Sequence, residues 1–291
     1  MLRFSYIRFS LIFPNGATLP KWIGSAIRGG LGYALKGYVC SPPACPYCRS
    51  APCLFRGVYV PRKEKVGYAQ PPKPLAIVAQ PFSSEVELRN EETIYLDFVL
   101  LGDYIKSFKQ LYVGLDYLGR FGIGGERVYG LNRFRIESAY DAISGRKLDG
   151  RSEPPEYELE RISPLQGKRY MVSSRTPFTG PYPPQTAEAF LKEIWRRLVL
   201  LINEYGDGSR LDLPEPKMRY ILTRAERVKY RRKSSRSLKT EFDGWMFDSE
   251  VDLEGASEAE RWLISAGSFL GMGSDFTFGM GFYKLLELPE S

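Results

Sequence analysis

The stretch GMGSDFTFGMGFYKL, Gly271–Leu285, puts four glycines (271, 273, 279 and 281) into eleven residues and then alternates like a β-strand. Glycine costs a folded chain entropy. Four together make sense where the backbone must take positive φ or come close to another group. An ungapped partner lies 149 residues earlier: GIGGERVYGLNRFRI, Gly122–Ile136. Gly122 aligns with Gly271, Gly124 with Gly273 and Gly130 with Gly279. Asn132 stands where Gly281 stands, and asparagine is the next most tolerant of positive φ. The simplest meaning is a duplicated unit that ends each time in a helix, a glycine loop and a last strand.

The surroundings of the two copies agree with that. DYIKSFKQLYVGLDYLGRF precedes the first copy and EAERWLISAGSFL the second, both with helical apolar spacing. Each half also opens alike. LRFSYIRFSLIF and then KWIGSAIRGGLGYALKGYV begin the first; RYMVSSRTPFT and then TAEAFLKEIWRRLVLLINEYG begin the second. In the latter helix Phe190, Ile194, Leu198 and Leu201 form the apolar stripe and Thr186 is the expected N-cap. Strand, helix, middle strands, helix, strand is the βαββαβ plan of a ferredoxin-like, RRM-like domain. The expectation is therefore an α+β chain of two such domains, 1–155 and 156–291, each with a glycine-rich loop. The polar, Pro- and Gly-rich stretch around residue 155 supplies the linker.

Composition narrows the function. The 291 residues carry a formal net charge of +7 and no histidine. The charge suits a polyanionic partner. The missing histidine excludes a Ser-His-Asp triad and imidazole-based metal sites. No run of eighteen apolar residues is present, so no membrane span is expected, and the Arg8-interrupted N-terminus reads as a strand and not a signal peptide. A cytoplasmic location is the corresponding expectation. GIGGERVYG is not a dinucleotide fingerprint, because its glycines precede a strand and do not open a helix.

Three further segments carry chemistry. On Lys21–Tyr38 the stripe Ile23, Ile27, Leu31, Leu35 is a core face, while Gly24, Arg28, Gly32 and Lys36 share another. Two glycines around Arg28 predict a bare groove that admits a phosphate backbone or, alternatively, another element, with Lys36 about 12 Å from Arg28. Tyr33 and Tyr38 lie nearby. Residues 224–239, RAERVKYRRKSSRSLK, hold eight basic residues and one acid. TEFDGWMFDSEV follows, with Asp243-Gly244 as a turn signal between strand-like runs. A basic hairpin suits RNA, which is read largely through phosphates and 2′-hydroxyls. Its expected contacts are Lys229, Arg231, Arg232, Lys233, Arg236 and Lys239, with Gly271, Gly273 and Gly279 giving close backbone approach. Tyr230 and Trp245 are candidates to stack on bases, with the core the first expectation for Trp245. Finally, Cys40, Cys45, Cys48 and Cys53 form a C-x4-C-x2-C-x4-C cluster at 40–53. Four thiolates suit a structural zinc ion; an iron–sulfur cluster or disulfides use the same residues, and free thiols are the remaining alternative.

LRFSYIRFSLIFP, IRGGLGYAL, the cysteine insertion, both glycine motifs, KYRRKSSRS and DGWMFDSEVDL occur in an order that resembles the RAMP superfamily of CRISPR proteins. Within it, the chain is most similar to the endoribonuclease that processes precursor CRISPR RNA. The resemblance implies metal-independent cleavage of CRISPR repeat RNA, in which a 2′-hydroxyl attacks the adjacent phosphate and leaves a 2′,3′-cyclic phosphate. Many members use a histidine, which this chain lacks. Lys36, Tyr33 and Arg28, on the first helix that commonly supplies catalytic groups, are the candidates here. The rivals are a non-catalytic RAMP subunit that holds guide RNA among other CRISPR effector subunits, and a zinc-stabilised scaffold without RNA function.

Overall fold

The computed structural model describes residues 2–39, 52–60, 71–123, 131–231 and 241–289. The chain divides into two units, Arg3–Glu156 and Tyr157–Ser291 with Met1–Leu2.

The first unit contains β1 (Arg3–Phe13), β2 (Ala17–Leu19), α1 (Gly24–Ala34), α2 (Leu54–Tyr59), β3 (Leu75–Val78), β4 (Val86–Leu88), β5 (Glu92–Leu101), α3 (Phe108–Phe121), β6 (Arg135–Asp141) and β7 (Lys147–Leu148). Its sheet runs β3-β5-β1-β6-β7, and β2 pairs with β4 as a separate ribbon. β1 is the axis. Phe4 faces Leu101, Phe9 faces Leu96, and Phe13 faces Glu92 across β5, all antiparallel. Nearly every β1 position is buried, as a strand enclosed on both faces requires. Phe9 meets Phe98 edge-on at 5.3 Å and Tyr112 of α3 at 5.8 Å. The expected stripe of α1 is realised, with Ile23, Ile27, Leu31 and Leu35 all buried. α1 passes into a π-helical turn, Leu35–Val39.

The second unit contains β8 (Tyr157–Glu158), β9 (Arg169–Ser174), α4 (Ala187–Tyr205), β10 (Arg219–Arg231), β11 (Glu241–Asp252), α5 (Glu258–Leu270) and β12 (Tyr283–Glu287). Its sheet runs β10-β11-β9-β12. Numbered by their order along the chain, these strands stand 2-3-1-4, and β3-β5-β1-β6 of the first unit stand 2-3-1-4 as well. All these pairings are antiparallel. Each unit thus repeats strand, helix, two strands, helix, strand. Phe190, Ile194, Leu198 and Leu201 line the buried side of α4, and the Thr186 side chain caps it by accepting from Ala189 N. α5 opens with a capping box: Ser257 accepts from Glu260 N while the Glu260 carboxylate accepts from Ser257 N.

The described ends of the two glycine motifs share one geometry. Gly122 and Gly271 end α3 and α5 at φ 83° and 73°, conformations that disfavour any side chain. Ile123 N donates to Asn132 O at 3.0 Å, and Met272 N donates to Gly281 O at 3.0 Å. Asn132 and Gly281 sit at φ 62° and 75°. Gly124 and Gly130 lie outside the described residues.

One local expectation fails. Asp243-Gly244 is not a turn, because β11 runs unbroken from Glu241 to Asp252, with Asp243 opposite Lys229 and Gly244 opposite Val228. Long-range pairing overrides the local turn chemistry. Arg231 pairs with Glu241 at the end of the ladder, and residues 232–240 lie outside the described residues.

Candidate nucleic-acid interface

In the second unit the basic hairpin, the glycine loop and the segment after β9 come together. The organising side chain is Arg197. It falls on the apolar side of α4, between Ile194 and Leu201, and is 2% exposed. Its Nε donates to Gly273 O at 2.9 Å, Nη1 to Met280 O at 2.9 Å and Leu270 O at 3.3 Å, and Nη2 to Ser274 O at 2.6 Å. The rings of Phe276 and Phe282 lie 5.5 and 6.0 Å from its guanidinium carbon. Burial pulls its pKa down to about 9, while Asp275 and Glu193 act the other way. The glycine loop is therefore wrapped around a buried cation.

This fixes what the glycines approach. A Cβ on Gly271 would stand 2.7 Å from Arg197 Nη1, and one on Gly273 2.6 Å from the Phe178 ring. Gly271 and Gly279 are buried. The groups that Gly271 and Gly273 close on are protein groups. Phe178 is a second hub: it exchanges both backbone hydrogen bonds with Trp245 at 2.9 Å, and Gly244 is kept bare by the Phe178 carbonyl, 2.8 Å from where a Cβ would be. One residue on, Thr179 Oγ1 meets Ser274 Oγ at 2.9 Å. The segment Arg175–Pro184 thus laces β11 to the glycine loop.

The hairpin itself is unevenly charged. Near its base Arg224 binds Asp248 at 2.8 Å, and Arg227 holds Asp243 with two bonds of 2.9 and 2.6 Å. That bonding keeps the Asp243 carboxyl below its usual range. Lys229 is exposed further along β10, and the backbone of Arg231 ends the ladder opposite Glu241. Arg232, Lys233, Arg236 and Lys239 lie outside the described residues. Tyr230 corrects the sequence expectation. It is 7% exposed, faces Phe242, and has its pKa pushed up to about 12 by burial with Glu226 adding to it, so its ring is not presented for stacking. Trp245 is half-buried, with the Arg227 guanidinium 6.0 Å from its ring.

In the first unit, Tyr33 is 71% exposed and Lys36 is exposed three residues on, at the entry to the π-helical turn. Tyr38's side chain lies outside the described residues. The glycine face beside them is not bare. Tyr59 of α2 fills it: a Cβ on Gly32 would stand 2.7 Å from the Tyr59 ring, and Trp22 covers Gly24. Arg28 is half-buried with its guanidinium carbon 5.2 Å from the Tyr59 ring, whose hydroxyl donates to Arg28 O at 2.6 Å. Burial raises the Tyr59 pKa far above its ordinary value, so this hydroxyl keeps its proton.

Cys53 is buried at the mouth of α2, where Gln110 accepts from Leu54 N at 2.9 Å and donates to Pro52 O at 3.0 Å. Cys40, Cys45 and Cys48 lie outside the described residues. Among the described residues no three metal-binding side chains gather, and no helix is long and apolar enough to cross a membrane.

The paired 2-3-1-4 sheets are the fold of Cas6 and other RAMP proteins. Thermus thermophilus Cas6 superposes with a TM-score of 0.53 over 98% of this chain and 99% of its own, at 13% identity. A RAMP protein binding different RNA substrates gives 0.54 over 97% of this chain and 100% of its own, at 11% identity. Models of the AF_1859 family match both halves, its N-terminal domain over residues 2–148 and its C-terminal domain over residues 167–285, and the chain belongs to that family. An uncharacterized protein of Archaeoglobus fulgidus is 29% identical over 301 residues, covering 98% of each chain.

Proposed function

We propose that this protein binds CRISPR repeat RNA and processes it as a Cas6-like endoribonuclease, with tandem ferredoxin-like domains meeting near residue 155. The observation that carries the RNA reading is the segregation of charge along the hairpin. Arg224 and Arg227 are neutralised by Asp248 and Asp243. Lys229, Arg231, Arg232, Lys233, Arg236 and Lys239 then follow with no acid among residues 229–239. Six cations within eleven residues of sequence suit a phosphate backbone.

The chemistry falls to the exposed end of the first helix. In the proposed step the 2′-oxygen forms a bond to phosphorus as the bond to the 5′-oxygen breaks. The 2′-hydroxyl gives up its proton and the leaving oxygen takes one. Tyr33 and Lys36 are the exposed groups that can move those protons, and the Lys36 ammonium can neutralise the charge on phosphorus. Arg28, stacked on Tyr59, steadies the helix beneath them. Labelled repeat RNA incubated in EDTA and run on denaturing gels tests this. Cleavage that a single 2′-deoxy substitution blocks, and that Lys36→Ala or Tyr33→Phe slows about 100-fold or more without loss of binding, is the expected result.

A second reading is favoured by the Tyr59 contact, which withdraws Arg28 from solvent, and by the absence of histidine. In it the chain is a non-catalytic RAMP subunit that holds guide RNA beside other CRISPR effector subunits. Tight binding with uncut RNA in the same assay decides for it.

A further inference from the structure

Tyr182 is 70% exposed, yet its surroundings are stiff. It stands in the sequence Pro181-Tyr182-Pro183-Pro184, where each proline fixes its own φ and restrains the residue before it. Pro183 and Pro184 are buried, and the Pro184 carbonyl accepts from Tyr220 Oη at 2.9 Å. The Pro181 carbonyl accepts from the Trp245 indole Nε1 at 3.3 Å. The indole is thereby tied to the residue next to Tyr182. Arg227 stands directly across from Trp245 in the β10–β11 ladder. Its guanidinium is held flat by two bonds to Asp243 and lies 6.0 Å from the indole ring. Asp243 raises the Arg227 pKa by hydrogen bonding and charge, and Tyr182 adds to the rise, which agrees with the phenol lying close by.

A large exposed ring therefore stands one residue from the carbonyl that anchors a half-buried indole, and an immobilised guanidinium lies over that indole. Folding does not need Tyr182 there, since an exposed ring adds little burial. Along β10 Lys229 is exposed two residues from Arg227, at the end of the strand that the basic run follows in sequence. Phosphates drawn to that end bring bases with them, and a base stacks on an aromatic or guanidinium face whatever its identity.

We propose that Tyr182, Trp245 and Arg227 form a stacking site for one unpaired nucleobase of a bound RNA strand. The site rests on the RNA-binding reading and deepens it. It makes the hairpin a reader of single-stranded RNA beside any duplex, and its preference is for an unpaired base and not for a particular sequence. Tyr182 supplies the principal face, and Trp245 and Arg227 supply the wall that limits it.

Short single-stranded RNA carrying 2-aminopurine at one position at a time tests the site, with binding followed by both affinity and fluorescence. Wild-type protein should quench 2-aminopurine at one position. Tyr182→Ala should abolish that quenching and weaken binding about 5- to 100-fold, leaving the slope of log K against log salt unchanged. Tyr182→Phe should behave as wild type, because the face and not the hydroxyl is used. Unchanged affinity and quenching in Tyr182→Ala overturns the site while leaving RNA binding intact. A weakening that comes with a shallower salt slope also overturns it, since that is the signature of a lost phosphate contact. Absence of RNA binding by wild-type protein overturns the function proposed above and this site with it.

Discussion

Arg197 Nη1 donates to the Met280 carbonyl at 2.9 Å, across 83 residues of sequence and inside the second unit. The bond ties the middle of α4 to the far side of the glycine loop. With the bonds to Leu270, Gly273 and Ser274 it directs three loop carbonyls and the last carbonyl of α5 onto one cation. The loop keeps its shape because these acceptors have no cheaper partner once water is excluded.

Arg197→Met keeps much of the volume and removes every donor. It should cost at least about 3 kcal/mol in chemical denaturation, because several buried acceptors lose their hydrogen bonds at once. Arg197→Lys should recover part of that loss, since an ammonium reaches fewer of the carbonyls. A cost below about 1 kcal/mol for Arg197→Met would mean that the glycine torsions alone hold the loop.

Glu260 links the start of α5 to the residues just before β10 and gives stability a pH dependence. Its carboxylate accepts from Lys217 N at 2.7 Å, Met218 N at 3.0 Å and Ser257 N at 2.7 Å. Burial pushes its pKa up, but these bonds outweigh it and the net direction is down. A carboxyl lowered in the folded state stabilises fully above its unfolded value of about 4.3 and loses that contribution as pH falls through the folded one. Glu260→Gln should therefore be less stable by roughly 2 kcal/mol near neutrality, with the gap closing as the pH drops below about 4. Urea melts of both proteins across that range provide the check; a gap that persists in acid assigns the loss to packing.

The helical stripes and the doubled glycine motif were readable because each rests on a local rule. Ile23, Ile27, Leu31 and Leu35 repeat with the helix, and Gly122 and Gly271 mark positive φ. The role of Arg197 is not legible in sequence, although a cation on the apolar side of α4 is a visible irregularity; its partners are backbone carbonyls, which no side-chain pattern displays. The Ser257–Glu260 capping box is legible as S-x-x-E. Asp243-Gly244 misled because its glycine answers a distant carbonyl on Phe178 and its aspartate a guanidinium across the ladder. Tyr59, which fills the glycine face of α1, comes from a segment whose sequence points to neither.

The cysteine cluster yields a compositional prediction. Purified protein should be colourless and carry a tightly bound zinc ion per chain, and Cys53→Ser should lower both the zinc content and the melting temperature. Brown protein with iron and sulfide identifies a cluster, and metal-free protein without reactive thiols identifies disulfides; either result removes zinc.

The hairpin should govern the salt dependence of RNA binding. Reversing Arg231, Arg232 and Lys233 to Glu should flatten the slope of log K against log salt by about 0.7–0.9 for each phosphate contact removed. Arg224 is the internal control, since it lies on the same strand but is bound to Asp248 at 2.8 Å. Arg224→Ala should change the slope by less than about 0.4, because a cation already paired releases few counterions on binding. The contrast between the two variants separates position from charge. If both alter the slope alike, the partition of charge along the hairpin has no bearing on binding. If neither alters slope or affinity, the RNA lies elsewhere on the protein.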